Sequence, residues 1–258
     1  MIDRQKFLPF KGRHRGQSAI LFATGPSLAE FKWSMLPKKP DISVGVNTAI
    51  FRDDLDFDYY WCAHFYEKQT EKYSSGPRVY YDKIVSRSSS MQVFCGTEGV
   101  RLDDKGEVQR GYFWKHFTPE QAEAMSAIQY DIVLATTASL ERKEREQFAV
   151  DLLSKPLYQQ SIVFPPMQFL LYAGVTKVYL VGCDCGGDVK GGVKTPPLRF
   201  GTSYDQEPWE QEDVEHYKNM EDLWREFSKF RDEHYPAVEI ISVNPLNLAG
   251  LFPEVVYV

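Results

Sequence analysis

Residues 19–23, Ala-Ile-Leu-Phe-Ala, form an unbroken apolar run, and the turn Thr24-Gly25-Pro26-Ser27 follows at once. A run this short, without polar alternation, fits a strand buried on both faces. Such strands belong to parallel sheets covered by helices on each side. The turn then opens a short helix over 28–36, stopped by Pro37. Two further strands are expected at 42–46, ending at Asn47, and at 58–63, ending at His64. The spacing predicts an α/β chain with a Rossmann-like, mostly parallel sheet flanked by helices.

Downstream, Val100-Arg101-Leu102 and residues 108–113 flank Asp103-Asp104-Lys105-Gly106, so 97–117 reads as a hairpin excursion. Thr118-Pro119 is a helix start, 130–135 a strand, and 139–153 a charged amphipathic surface helix. Pro165-Pro166 can only begin a helix, which runs over 167–173 with Gly174 at its C′ position. A strand at 177–181 leads into a glycine-rich lid loop over 186–208, and loops of that length are usually functional. The longest helix, 209–230, repeats Tyr217, Met220, Leu223, Trp224, Phe227 and Phe230 at helical spacing as a buried stripe. A last parallel strand is expected at 238–243 and an edge strand at 255–258. With no repeat or linker, 258 residues at 43% hydrophobic content read as one domain.

The net charge of -6 argues against a nucleic-acid partner, because no long basic stripe accompanies it. The densest cationic stretch, Lys11-Gly12-Arg13-His14-Arg15, reads as a solvated lead-in, with an acidic membrane surface or a phosphate as its other use. Cys62, Cys95, Cys183 and Cys185 are too few and too irregular for a disulfide framework or a zinc site. No leader-like segment opens the chain, and no run approaches the roughly 18–20 apolar residues of a spanning helix, so the expectation is a cytoplasmic protein without a transmembrane segment. Self-association as a homo-oligomer is left open.

Parallel α/β sheets bind ligands outside the carboxyl ends of their strands. Here those ends gather Thr24, Gly25, Pro26, Ser27, Asn47, His64 and Asp184. Gly25 lets a backbone or a ligand approach closely, and the helix that follows offers free N–H groups to an anion. A tight strand–helix turn with no ligand explains the same residues equally well. Asn47 either reads a base, ribose or phosphate or ties off its strand. The spacing matches neither a Walker loop nor a G-x-G-x-x-G fingerprint.

Three segments, ILFATGPSLAEF, VGVNTAIF and YAGVTKVYLVGCD, together resemble the bacterial sialyltransferases of glycosyltransferase family 42 and the 6-hydroxymethylpterin diphosphokinase-like domain. The resemblance runs in order from residue 19 to about 252 and is weak over 80–155. It implies that Thr24, Gly25, Pro26 and Ser27 contact the nucleotide of an activated donor, with Asn47 on sugar or phosphate. It also implies that Ser161 and Tyr204 lie on the donor phosphate and that Asp184 closes the Gly-x-Asp strand end. The chain departs from the sialyltransferase pattern in three places: Thr24 stands for an asparagine, Ile162-Val163 for a Ser-Gly pair, and Trp209-Glu210-Gln211-Glu212 where a general-base histidine is expected. His216, Glu210 and Glu212 are the remaining candidates for the base.

Three functions follow as expectations. The first is a transferase using a nucleotide-activated sugar, CMP-linked by resemblance, and a glycan or small-molecule acceptor, without metal or other cofactor. The second is a Mg-ATP pterin-type diphosphokinase, for which Asp184 and Asp188 are the available carboxylates. The third is a nucleotide-binding domain without catalysis.

Overall fold

The computed structural model describes residues 3–62, 76–96, 100–102, 108–109, 119–134, 148–158, 161–185, 193–194, 207–208, 211–244 and 248–255. Its main sheet has eight strands, all paired in parallel. In chain order the elements are β1 (Ser18–Phe22), α1 (Ser27–Glu30), β2 (Ile42–Val46), β3 (Tyr59–Cys62), α2 (Gly76–Arg87) and β4 (Gln92–Gly96). Then come β5 (Val100–Leu102), β6 (Val108–Gln109), α3 (Pro119–Ala124), β7 (Ile128–Tyr130), β8 (Ile132–Leu134), β9 (Leu157–Tyr158) and α4 (Phe164–Tyr172). The chain closes with β10 (Lys177–Val181), β11 (Val193–Lys194), β12 (Glu207–Pro208), α5 (Gln211–His234), β13 (Glu239–Val243) and β14 (Glu254–Val255).

The sheet order is β14-β13-β10-β1-β2-β3-β4-β7. The chain winds outward from β1 through β2, β3, β4 and β7, then returns to the other side of β1 with β10, β13 and β14. The winding reverses between β1 and β10. That is the Rossmann-like arrangement the apolar run at 19–23 predicts.

Alternation along β1 explains the layering. Ala19, Leu21 and Ala23 face one core with α4 and the stripe Met220, Leu223, Trp224, Phe227 and Phe230 of α5. Ile20 and Phe22 face a second core with Leu28 of α1, Ile84 of α2 and Met125 beyond α3. Every residue of α4 is buried, including Gln168. The Gln168 amide accepts the N–H groups of Ala149 (2.8 Å) and Tyr158 (3.3 Å), and donates to the carbonyls of Tyr158 and Phe164 (2.9 Å each). The buried amide thus has both its acceptor and its donor capacity used, and it ties α4 to β9 and to residue 149.

Several expectations are refined. The helix expected over 28–36 stops at Glu30, because Phe31 turns extended (ψ 133), and a 3-10 turn at Trp33–Met35 follows. The surface helix expected over 139–153 does not reach 148–153, where the chain is turn and bend. Phe148 there is buried against Tyr158, Phe164, Phe227 and Phe230, and Ala149 gives its N–H to Gln168, so core packing overrides the local charge pattern. The hairpin is present as the antiparallel pair β5–β6, and β5 also pairs in parallel with β8 to build a small sheet ordered β6-β5-β8-β9. Of the segment expected to be a lid, β11 and β12 pair antiparallel, while 186–192 and 195–206 lie outside the described residues.

Candidate functional site

The reversal of winding puts the carboxyl ends of β1 and β10 side by side, where an open parallel sheet leaves a crevice. The register carries β1 and β10 past their last paired residues, Phe22 and Val181. Ala23 donates to the Val181 carbonyl (2.8 Å) and Gly25 to the Gly182 carbonyl (2.8 Å), so the two strand ends leave the sheet zipped together.

A buried polar cluster locks them. The Asp184 carboxylate accepts the Ser27 backbone N–H (2.6 Å) through one oxygen and the Ser27 hydroxyl (2.7 Å) through the other. The same hydroxyl accepts the Gly182 N–H at 3.0 Å. Asp184 is 2% exposed and Ser27 4%. Burial raises the Asp184 carboxyl to about 6, against the lowering pull of the Ser27 side-chain and backbone hydrogen bonds, and Glu30 adds a smaller upward push.

Both glycines of the cluster are sterically required. A Cβ on Gly25 would lie 2.5 Å from an Asp184 carboxylate oxygen and 2.6 Å from the Gly182 carbonyl oxygen. Gly182 has φ 71, and a Cβ there would lie 2.8 Å from the Ala23 carbonyl oxygen. The close approach that Gly25 permits is therefore made by Asp184 and Gly182 of the chain itself. The first free N–H of α1 is likewise occupied by a carboxylate from within the protein.

Around the lock, polar side chains at the strand ends stay uncommitted. Phe22 pairs with Gly45 across β1 and β2, which brings Thr24 level with Asn47. Both are half-buried, and neither side chain makes a hydrogen bond among the described residues. Asn47 has φ 45, a left-handed backbone, and its carbonyl accepts the Tyr60 hydroxyl. Left-handed non-glycine residues recur at this edge: Asn47 after β2, Cys185 beyond β10 and Asn244 after β13. Strained backbone of this kind concentrates at functional sites.

Trp61 belongs to the same edge and was not singled out from the sequence. It pairs with Val46, one residue before Asn47, and stacks on Phe94 at 4.2 Å. Its buried indole N–H has no hydrogen-bond partner among the described residues. A native buried donor left unpaired calls for an explanation. The sequence signal was available, since a tryptophan near the carboxyl end of a fully buried strand has a polar atom to satisfy.

Comparison with known proteins gives little lineage. No protein-family model and no curated protein matches the chain. Among solved structures the chain is similar to the sialyltransferase CstII from Campylobacter jejuni, in complex with a substrate analogue, cytidine-5'-monophosphate. The similarity has 13% identity and a TM-score of 0.45, over 93% of this chain and 86% of that one.

The other candidate residues are less concentrated. Pro26 precedes α1 with helical dihedrals and half-buried surface. Ser161 opens the turn into α4, where its carbonyl accepts the Phe164 N–H at 3.2 Å, and among the described residues it makes no hydrogen bond to the Ser27–Asp184 cluster. Glu212 and His216 fall in the first turns of α5, with their side chains outside the described residues. His64, Tyr204 and Glu210 lie outside the described residues altogether, as does Asp188. Burial raises the thiols of Cys183 and Cys185 above the ordinary thiol value, which favours the neutral thiol over the reactive thiolate. Cys62 and Cys95 are register partners with their sulfurs 3.4 Å apart, both buried. No group of three or more His, Cys, Asp or Glu suited to a metal ion occurs among the described residues.

Proposed function

We propose that the chain is a nucleotide-sugar-dependent glycosyltransferase that binds its donor over the carboxyl ends of β1, β2 and β10. The observation that supports this most is the division of labour at the strand ends. Ser27, Gly182 and Asp184 spend their hydrogen bonds on one another, while the half-buried side chains of Thr24 and Asn47, in the next row, make none among the described residues. A rigid floor with free donors and acceptors beside it is what a polar ligand needs, because the floor costs no reorganisation on binding.

In this reading Thr24, Gly25, Pro26 and Ser27 form the turn beneath the nucleotide, and Asn47 holds ribose or phosphate with its amide. Asp184 is a positioning residue that fixes the turn. Following the resemblance, Ser161 and Tyr204 hold the leaving phosphate, and one of His216, Glu210 and Glu212 takes the acceptor proton. The acceptor oxygen attacks the anomeric carbon, the bond from that carbon to the phosphate oxygen breaks, and the nucleotide leaves with the electron pair.

Calorimetry against CMP, CDP, UDP, GDP and ATP, each with and without magnesium, tests the reading. The expected result is metal-independent binding of CMP, weakened about tenfold in Asn47→Ala as one hydrogen bond to a charged ligand is lost. ATP binding that needs magnesium would replace this reading with a diphosphokinase. If no nucleotide binds at all, the proposal fails.

A further inference from the structure

The amino-terminal segment has a property unlike the rest of the molecule. Residues 4–15 contain Arg4, Lys6, Lys11, Arg13 and Arg15 and no acidic residue, leaving 25 basic against 36 acidic residues elsewhere. The chain is acidic as a whole and carries a basic strap at one place.

The structure shows how the strap is held. Residues Arg4–Phe10 form a 3-10 helix whose two phenylalanines point inward. Phe7 stacks against Phe94, and Phe10 meets Tyr59, Phe94 and Phe169 edge-on. Arg4 is tied to Asp131 by a two-nitrogen fork and to the Ser154 carbonyl. Beyond Phe10 the backbone is pinned by Gly12 to the Tyr172 carbonyl, His14 to the Ala173 carbonyl and Gly16 to the Gly174 carbonyl. The segment is thus fixed to the body of the protein, running to the amino-terminal edge of the sheet.

What it turns outward is cationic with an apolar point. Lys6, Leu8, Lys11, Arg13 and Arg15 are all exposed. Among the described residues Lys6, Arg13 and Arg15 have no carboxylate partner, and Lys11 makes a loose 4.0 Å pair with Asp151. Leu8 at 52% and Val150 at 44% are the two exposed large apolar side chains among the described residues. The Lys11–Asp151 pair and the Arg4 bond to the Ser154 carbonyl bring the segments that carry them together.

We propose that residues 4–15 form a docking strap for an anionic lipid surface. Several unpaired cations on a fixed backbone attract anionic headgroups, and a leucine and a valine among them enter the headgroup–acyl boundary. A single-stranded nucleic acid would call for exposed aromatic rings to stack on, and both rings of the strap are turned into the core. No helix among the described residues is long and apolar enough to cross a membrane, and the contact proposed here lies on the surface. The strap runs from Arg4, held by Asp131 just past the carboxyl end of β7, to the amino-terminal edge of the sheet at Ser18.

Co-sedimentation of the full chain with phosphatidylcholine vesicles, with or without phosphatidylglycerol, tests the proposal. Partitioning should require the anionic lipid and fall on raising the salt. Joint charge reversal of Lys6, Arg13 and Arg15 to glutamate should lower it on the order of a hundredfold, and Leu8→Ser about tenfold. Arg15→Gln alone, exposed and unpaired, should lower it about fivefold and covers the case in which the triple variant does not fold. Equal binding to neutral vesicles, or full binding by folded charge-reversed protein, overturns the proposal. So does retention by polyglutamate or RNA with no binding to vesicles, which would assign the strap to a soluble polyanion.

Discussion

The two edges of the main sheet use the same pair of residue types and obtain opposite results. At the amino-terminal edge, Asp41 accepts from the N–H and hydroxyl of Ser18 (2.9 and 2.8 Å), and Asp58 from those of Ser43 (2.8 and 3.0 Å). At the carboxyl edge, Asp184 accepts from the N–H and hydroxyl of Ser27. The donors are of the same two kinds, though in each exposed pair both reach one carboxylate oxygen and at Asp184 they reach one oxygen each. In solvent, the Ser18 bonds hold the Asp41 carboxyl below its ordinary value, whereas burial lifts Asp184 to about 6 despite bonds from the same kinds of donor. Hydrogen bonds to a carboxylate lower its pKa only as long as desolvation does not outweigh them. The exposed pairs are staples for register, whereas the buried one is a lock whose strength depends on its proton.

The largest effect is expected where the lock is blocked sterically. Gly25→Val drives a side chain into the Asp184 carboxylate and the Gly182 carbonyl, both at less than contact distance and both buried. Neither can yield without opening the β1–β10 seam. The cost should be about 3 kcal/mol or more, a drop of roughly 6–12 °C in melting temperature. A valine variant melting with the parent would mean that the seam adjusts freely, and the contrast between the edges would lose its basis.

This outcome also marks how far the sequence could be read. The parallel sheet, the strands after 18, 42, 59, 177 and 239, and the α5 stripe were legible because burial on both faces and helical periodicity leave direct marks on residue order. The neighbourhood of Gly25, Asn47 and Asp184 was legible from topology alone. What occupies the space beside Gly25 was not, because Asp184 lies 157 residues from Ser27 in sequence and no local pattern records that contact. The same holds for Phe148, whose neighbours Phe227 and Phe230 lie on a distant helix and cancel the amphipathic pattern around it. Trp61 reads in the sequence as one more core aromatic, and its N–H without a partner among the described residues is visible only in the structure.

A second test sharpens the comparison through pH. The folded chain holds the Asp184 proton up to about 6, whereas the unfolded chain releases it near 3.8. Folding therefore takes up a proton between those values. The stabilisation is complete below about 3.8 and is lost as pH rises through 6. The difference corresponds to roughly 3 kcal/mol. Asp184→Asn does not titrate, so the unfolding free energy of the parent relative to this variant should decline from about pH 4 to about pH 7, by up to that amount. Denaturant melts of the two proteins at matched pH values measure it. A constant difference would place the carboxyl near its ordinary value and make the lock electrostatically equivalent to the staples.

The smallest effect is expected at the staple that copies the lock most closely. Asp58→Ala removes both side-chain bonds to Ser43, yet the backbone bonds through the same residues remain: Asp58 N–H to the Ser43 carbonyl and Gln92 N–H to the Asp58 carbonyl, each 2.9 Å. Asp58 is exposed, so water takes up the Ser43 donors once the carboxylate is gone. At the lock Ser27 is 4% exposed, and Asp184→Ala leaves its N–H and hydroxyl buried without their acceptor, a loss of about 1–3 kcal/mol. Asp58→Ala should therefore move the melting temperature by no more than about 2 °C, with nucleotide binding unchanged, since the staple lies at the opposite edge from Asn47. The same residue type, a serine partner and the same two kinds of donor thus compare a buried pair with an exposed one. Equal losses from Asp58→Ala and Asp184→Ala would show that the bonds themselves, and not their removal from water, set the strength of both edges.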